Sequence, residues 1–221
     1  PQAVATMLDP GDCGPAFIGL PQDVAADAYD YPESFFEVTV HESPRPRPDR
    51  GQLARAVEEL RSAKRPAIIG VTGAEAANAV VRDADVVLAV GTRLEDFTTG
   101  SWTLFSPETR FVGLNAARFD AVKHRSLPLV ADAREGLLEL SDALGDWSTD
   151  TAWTDTARTL RGDLDTFVNG RTADDGVWPP SYAQLVGLVH DAATADDYVL
   201  TAAGGLPGEL NINWMSKGVA T

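Results

Sequence analysis

The sequence predicts an α/β protein whose central part is a Rossmann-like parallel sheet. Three observations support this class. A five-residue apolar run at 86–90 follows a helical pattern and ends at Gly91, which is typical of a buried parallel strand. Two further short strands are predicted at 111–115 and 127–131, and a helix over 133–144 follows the second of them. Such an alternation of strands, loops and helices is typical of an α/β sheet.

The composition limits what the chain can bind. Its 221 residues are enough for one or two domains. The net charge of −15, from 33 acidic and 18 basic residues, argues against nucleic acid and anionic membranes as partners. An acidic surface also keeps proteins soluble at high salt. Two hypotheses stay open, a halophilic source and a merely acidic bacterial protein, and only the first predicts folding that salt strongly stabilises.

Cysteine and histidine usage indicates the compartment and argues against a metal site. Cys13 is the single cysteine, which excludes a disulfide framework and a cysteine-cluster metal site. No apolar run long enough for a membrane span and no signal peptide are visible. We therefore predict a cytoplasmic protein. The three histidines lie far apart in the sequence without ligand spacing: His41, His124 and His190.

The first 48 residues contain a strand pattern without partners. A helix end is predicted at 1–8 and a strand at 14–20, and the alternating prolines of 44–48 indicate a stiff linker. A lone strand cannot form a sheet. We therefore expect its partner strands to lie upstream and the sequence to begin inside a domain.

The central elements follow from capping and periodicity. Asp49 is the predicted cap of a helix over 52–63, and a strand at 66–70 comes next. A helix at 76–82 leads into the apolar run at 86–90. Residues 116–124 predict a short helix or turn, and Asp132 is expected to open the helix over 133–144.

The loop that follows the apolar run lies where an α/β fold places ligands. Parallel sheets bind ligands beyond the carboxyl ends of their strands. Residues 91–102 carry Thr92, Arg93, Glu95 and Asp96 at such a position. From the residues alone, a loop that only packs a neighbouring domain explains the pattern better, because no nucleophile–base pair is visible. No G-x-G-x-x-G motif follows a strand, so a dinucleotide site is not predicted.

The last third predicts an amphipathic connecting helix within 146–176 and a helix that Ser181 caps. The predicted buried face of the second helix consists of Leu185, Leu188 and Val189.

A strand at 198–203, a glycine loop at 204–208 and a helix at 209–215 then follow. This order lets backbone N–H groups approach a phosphate. From sequence alone, a simple tight turn explains the same pattern equally well.

Three segments resemble thiamine-diphosphate-dependent enzymes of the acetolactate synthase type. G-P-A-F-I-G-L-P-Q-D-V, at 14–24, is similar to the closing strand of their pyrimidine-binding domain. G-T-R-L-E-D-F-T-T-G-S-W-T-L-F, at 91–105, resembles more specifically the trihydroxycyclohexane-1,2-dione hydrolases of inositol breakdown. V-L-T-A-A-G-G-L-P-G-E-L, at 199–210, looks like the first strand and loop of the diphosphate-binding domain.

The resemblance implies the cofactors and their contacts. Thiamine diphosphate and Mg²⁺ are expected for the parent protein, and FAD is not. Gly204, Gly205 and Leu206 would contact the cofactor diphosphate. No catalytic or metal-binding residue is expected here, because the ylide-forming glutamate would lie before Pro1 and the Gly-Asp-Gly metal motif after Thr221.

The resemblance also implies a domain plan with a gap. After R-P-A-I-I-G, which ends at Gly70, the chain continues with a segment that resembles a later part of the family, so we expect one β-α-β crossover to be missing. A deletion and a join across missing residues both stay open, and a deletion predicts poor stability. The implied parts are the end of the pyrimidine-binding domain at 1–43, an incomplete central Rossmann-like domain at 44–150, a linker helix at 151–177 and the start of the diphosphate-binding domain at 178–221.

The implied activity is that of a hydrolase acting on a C–C bond. The parent would open 3D-(3,5/4)-trihydroxycyclohexane-1,2-dione to 5-deoxyglucuronate in myo-inositol catabolism, as a dimer or tetramer, and this chain alone would be inactive. An acetolactate synthase-like enzyme or a decarboxylase is the first alternative. A non-catalytic Rossmann-like module is the second.

Overall fold

The computed structural model describes residues 2–70, 73–202 and 204–218. The chain divides into two compact units. We call the first, 1–70 with 85–95 and 108–148, the sheet unit. The second, which we call the helical unit, comprises 71–84, 96–107 and 149–221. The domain bounds predicted from the sequence stay predictions.

The described chain contains four strands and ten α-helices. The strands are β1 (Pro66–Ile69), β2 (Val86–Val90), β3 (Arg110–Asn115) and β4 (Leu127–Val130). The helices are α1 (Gln2–Met7), α2 (Gln22–Ala26), α3 (Arg50–Arg61), α4 (Glu75–Asp83), α5 (Asp96–Thr99), α6 (Arg118–Ala121), α7 (Ala133–Leu144), α8 (Thr151–Thr172), α9 (Tyr182–Ala192) and α10 (Gly205–Asn213), with 3₁₀ turns at Glu33–Phe36 and Lys123–Arg125. No helix of the described residues has the length and apolar character needed to cross a membrane.

The sheet is parallel throughout, with the strand order β1-β2-β3-β4. Leu88 of β2 lies opposite Val112 of β3. Both are buried on the face that α3 and α7 cover, together with Leu60 and Leu140. The predicted α/β class and the predicted buried strand at 86–90 are therefore confirmed.

The opposite face of the sheet packs closely against α6. A Cβ added to Gly113 of β3 would lie 2.4 Å from the carbonyl oxygen of Ala121. That distance is far below an ordinary contact, so only glycine lets the helix backbone approach the strand so closely.

An aspartate caps the N-terminus of each of the two helices, α3 and α7, that pack on the same face of the sheet. The Asp49 carboxylate accepts hydrogen bonds from the N–H groups of Gly51 and Gln52 at the start of α3. Asp132 accepts from Arg134 and Glu135 at the start of α7. Each bond satisfies a backbone donor that has no partner within the helix. Both predicted caps are confirmed.

Asp85 joins the start of β2 to the turn before β1. Its carboxylate accepts from the N–H groups of Lys64 and Arg65, each at 2.8 Å. Partial burial opposes ionisation of Asp85, but these two donors outweigh it and hold the pKa of the carboxyl below its ordinary value. The ionised form of Asp85 therefore stabilises the β1–β2 edge of the sheet.

In the helical unit, the buried face of α9 differs from the one predicted from the sequence. Ala183, Val186 and Gly187 are buried there, whereas Leu188 is 59% and Val189 57% exposed. Leu185 is 38% exposed. The small residues face α8, where a Cβ on Gly187 would lie 2.7 Å from the Cβ of Thr172. The predicted buried face was wrong because α9 packs through its small side chains against another helix.

Two predicted strands are not formed. Residues 14–20 have no regular secondary structure, and Phe17 is 96% exposed. Residues 198–202 also lack regular structure, and Leu200 is 96% exposed. The remaining residue of the second predicted strand, Ala203, lies outside the described residues. A strand needs hydrogen-bonding partners, and neither segment finds any in the described chain.

Candidate functional site

The start of α10 presents free backbone donors at an exposed surface. The helix begins at Gly205, four residues earlier than predicted. Gly204 has φ +133° and ψ −166°, a conformation essentially restricted to glycine, and a Cβ there would meet open space. Within the part of the chain that the structure describes, the N–H groups of Gly205 and Leu206 have no protein acceptor. Such a helix end favours a negatively charged ligand.

An ion-pair network anchors α10 to α8. The guanidinium of Arg171 donates to both carboxylate oxygens of Glu209 at 2.8 Å. Glu209 also accepts from the side-chain amide of Asn213, which is 3% exposed. The network fixes α10 one turn beyond its free N–H groups. Sequence reasoning missed it, because Arg171 and Glu209 are 38 residues apart and no local pattern connects them.

The first half of the loop after β2 belongs to the sheet unit and is held by internal bonds. The side-chain amide of Asn115 donates through Nδ2 to the backbone carbonyl oxygen of Thr92 at 3.2 Å. The Lys123 ammonium donates to the backbone carbonyl oxygen of Arg93 at 3.1 Å. Lys123 also pairs with Asp120 at 2.8 Å. These polar groups, at the carboxyl ends of β2 and β3, therefore bind one another. This favours the structural interpretation of the loop's first half.

The second half of this loop, in the helical unit, carries backbone strain. Gly100, Ser101 and Trp102 all have positive φ, at 56°, 53° and 65°. The buried Thr99 hydroxyl accepts from the N–H of Trp102 at 3.1 Å, which stabilises the turn. Positive φ at serine and tryptophan costs on the order of 1–3 kcal/mol per residue and clusters at functional sites. Residues 99–102 are therefore a second candidate region, one that the periodicity of the sequence did not indicate.

An apolar cavity lies within the helical unit, among α4, α8 and α10. Its volume is about 400 Å³, and its walls are mainly apolar. The predicted apolar face of the connecting helix supplies Leu160, Leu164 and Phe167, and Ile212 closes one side. Phe167 is 52% exposed, so this face of α8 is only partly covered.

The resemblance implies two cofactors, thiamine diphosphate and Mg²⁺, and the described residues suit the first better than the second. The free N–H groups of Gly205 and Leu206 and the open space at Gly204 suit a diphosphate oxygen. Residues 2–70, 73–202 and 204–218 contain no group of three histidine, cysteine, aspartate or glutamate side chains able to hold a metal ion. Mg²⁺ prefers several oxygen ligands in octahedral geometry. The start of α10 therefore has the donors to accept a diphosphate oxygen.

One known family matches the middle of the chain, over a stretch that includes residues of both units. Residues 68–140 match the family model described as "Thiamine pyrophosphate enzyme, central domain". This stretch begins within β1 and ends within α7, so it contains the end of β1 and all of β2, β3 and β4.

Similarity to curated proteins extends over nearly the whole chain. A 3D-(3,5/4)-trihydroxycyclohexane-1,2-dione hydrolase of Bacillus cereus (strain AH820) is 29% identical over an alignment that covers 98% of this chain. The protein of the same name from Bacillus anthracis (strain A0248) is equally similar. The "3D-(3,5/4)-trihydroxycyclohexane-1,2-dione hydrolase 2" of Bacillus cereus (strain ZK / E33L) is 30% identical over the same share.

The relatives are longer than this chain, both overall and within the aligned region. The chain spans 45% of the length of each relative. The alignments extend over 287 residues, whereas this chain has 221 in total. At least 66 positions of the relatives therefore have no counterpart in it. This excess supports the missing segment expected from the sequence.

Proposed function

We propose that this chain, whose residues 68–140 match the central domain of thiamine pyrophosphate enzymes, is the middle part of a thiamine-diphosphate-dependent hydrolase acting on a C–C bond. The proposed reaction opens 3D-(3,5/4)-trihydroxycyclohexane-1,2-dione to 5-deoxyglucuronate in myo-inositol catabolism. The observation that carries the proposal is the 29–30% identity, over 98% of this chain, to hydrolases named for that dione.

The proposed task of this chain's residues is to hold the diphosphate end of the cofactor. Thiamine diphosphate, when bound, supplies the carbanion that attacks a substrate carbonyl. The N–H groups of Gly205 and Leu206 would donate to a diphosphate oxygen, and the partial positive charge at the start of α10 would favour its negative charge. Glu209, paired with Arg171, keeps the helix in place. Mg²⁺ would be held by residues that the described chain does not contain.

Disruption of the coding region in its native host tests the substrate. We expect growth on myo-inositol to be lost, growth on glucose to be retained, and the cyclic dione to accumulate in extracts. Unchanged growth on myo-inositol would contradict the proposal. Loss of acetolactate formation from pyruvate, with dione cleavage intact, would instead support the acetolactate synthase-like alternative.

A chimera tests the cofactor contacts. Residues 178–218 would replace the matching segment of the Bacillus cereus (strain ZK / E33L) hydrolase 2, and dione cleavage would be measured against thiamine diphosphate concentration. Gly204→Ala is expected to raise the KM for thiamine diphosphate about tenfold or more, because alanine disfavours φ +133°. Gly208→Ala is the matched control: its Cβ meets open space within α10, so the KM should stay within about twofold. Equal effects of the two substitutions would show that Gly204 has no special role.

Assembly and location are part of the same proposal. The parent enzyme is proposed to be a cytoplasmic homo-oligomer, a dimer or tetramer, that acts on a small cyclic dione and binds neither nucleic acid nor membranes. The net charge of −15 supports the exclusion of nucleic acid. A halophilic source remains the hypothesis to be tested by unfolding at increasing salt.

A further inference from the structure

The apolar cavity of the helical unit lies between helices that pack on one another, and the function proposed above does not use it. Its α8 wall consists of Leu160, Leu164 and Phe167, which follow one another at helical spacing. The facing wall, on α4, consists of small side chains, among them Ala76 and Ala79. Because the apolar side chains of α4 are no larger than a methyl group there, they leave space in front of the larger side chains of α8.

The size of the cavity suits a small molecule. Its volume of about 400 Å³ lies in the range of small-molecule binding sites. At liquid density this space would hold roughly a dozen water molecules. Water in it finds few hydrogen-bonding partners, since the walls are mainly apolar, so an apolar group that replaces the water gains free energy. The volume therefore accommodates an apolar body of about a dozen non-hydrogen atoms.

The charged residues of the cavity favour a cation. The Arg171 guanidinium is held by both carboxylate oxygens of Glu209, so its charge is already balanced. Glu75 is paired with Arg82 at 3.4 Å. Asp163 also lines the cavity, and within the described residues it has no ion pair and no hydrogen bond through its side chain. One carboxylate is thus left to balance a positive charge on a ligand.

Asp163 differs in this respect from the other two aspartates of α8. Asp155 pairs with Arg158 at 2.7 Å, and Asp165 pairs with Arg161 at 2.9 Å. Neither of these two paired aspartates lines the cavity. Because Asp163 is exposed, its attraction for a cation is modest, on the order of a twofold to fivefold gain in affinity.

We propose that this cavity is a binding site for a small cation with a compact apolar body, an aromatic or alicyclic ring that carries an ammonium group. The ring lies between Ala79 of α4 and Leu164 of α8, and the ammonium group lies at the Asp163 carboxylate. An anionic ligand is disfavoured, because it would face Asp163 in a chain of net charge −15. The proposal does not depend on the substrate or the cofactor assigned above.

Three naphthalene compounds that share one ring system and differ in charge test the ligand class. Naphthylmethylamine, naphthylmethanol and naphthylacetate are titrated into the full chain by calorimetry. We expect saturable binding of the amine with a dissociation constant of about 1 mM or below, as is usual for a ligand of about a dozen non-hydrogen atoms. The alcohol should bind about twofold to fivefold more weakly than the amine, and the acetate more weakly still. Absence of saturable amine binding up to about 5 mM, or equal affinities of the three compounds, would overturn the proposal.

A substitution inside the cavity locates the site. Ala79→Phe places a ring in the cavity and should lower the affinity for naphthylmethylamine at least about tenfold. Ala77→Phe, at an exposed position of the same helix, is the matched control and should leave that affinity within about twofold. An Ala79→Phe variant that is folded by circular dichroism and binds the amine as the wild type does would contradict the assignment.

Neutralisation of Asp163 gives a test that does not require the helices to repack. Asp163→Asn should lower the affinity for naphthylmethylamine about twofold to fivefold and leave that for naphthylmethanol unchanged. Asp155→Asn removes the same charge from α8 away from the cavity and should change neither affinity measurably. Equal effects of the two substitutions would overturn the proposal. So would amine binding that weakens as the protein concentration rises, because a second copy of the chain would then occupy the cavity.

Discussion

β2 and the segment 198–202 have similar sequences, but only β2 forms a strand. V-V-L-A-V forms a strand whose first four residues are buried, whereas Y-V-L-T-A has no regular structure and leaves Leu200 96% exposed. β2 lies between β1 and β3, which satisfy its backbone groups on both sides. The other segment has no such neighbours in the described chain. Apolar, β-branched composition is therefore not sufficient for a strand, and pairing decides the outcome.

The largest contrast between the two regions is expected from leucine truncation. Leu114→Ala should lower the free energy of unfolding by about 2–5 kcal/mol, because the Leu114 side chain is fully buried among β2, α3 and α7. Leu200→Ala is the matched control and should change it by no more than about 0.5 kcal/mol. Urea unfolding followed by circular dichroism measures both. Similar losses would mean that 198–202 packs more tightly than its exposure indicates.

The second comparison is between a glycine at a close contact, Gly113 of β3 against α6, and an exposed glycine, Gly162 of α8. Gly113→Ala should cost about 1–3 kcal/mol, because its Cβ would meet the backbone of Ala121 and neither element can move away freely. Gly162→Ala, on the exposed side of α8, should instead stabilise by up to about 1 kcal/mol. Thermal unfolding of the two variants checks this. A neutral Gly113→Ala would show that α6 is loosely held.

Asp85 makes the edge of the sheet sensitive to pH. Asp85→Ala should cost about 1–2 kcal/mol near neutral pH, since the N–H groups of Lys64 and Arg65 lose their acceptor. The folded-state pKa is below the ordinary value of 3.8. The contribution of the carboxylate is therefore complete above that value and is lost as the pH falls through the folded-state pKa.

Unfolding of the wild type and the variant between pH 2 and pH 7 tests this sign. The two stabilities should converge below about pH 3.8 and stay separated above it. Asp142→Ala, an exposed position on α7, is the control and should show no such convergence. A difference that grows at low pH would contradict the assignment.

The smallest effect is expected on the exposed face of α9. Leu188→Glu should change the free energy of unfolding by no more than about 0.5 kcal/mol, because Leu188 is already 59% exposed. Val186→Ala, two residues earlier on the buried side, should cost about 1–2 kcal/mol. Chemical unfolding distinguishes the two. A costly Leu188→Glu would restore the face predicted from the sequence.

Local signals predicted the elements of the sheet unit well. Asp49 and Asp132 cap the helices that they were expected to cap, and the run at 86–90 is β2 residue for residue. Caps and apolar runs are encoded within a few neighbouring residues, so sequence reasoning detects them. Ser181 follows the same rule, with its side chain bonded to the N–H of Gln184.

Features that depend on distant residues could not be predicted. Whether 14–20 and 198–202 form strands depends on partners elsewhere, and the Arg171–Glu209 pair links two helices far apart in the sequence. The glycines of the candidate site were found through a resemblance. Their sequence alone did not distinguish a diphosphate cradle from a tight turn, and the φ of Gly204 and the free donors of α10 appear only in the structure.

Hydrogen exchange of the backbone amides tests most directly whether pairing, and not composition, makes a strand in this chain. We expect slow exchange throughout 86–90 and exchange close to the rate of an unpaired chain at 198–202 under the same conditions. Protection at 198–202 comparable to that of β2 would contradict it, since the segment would then have found a partner that the described residues do not provide.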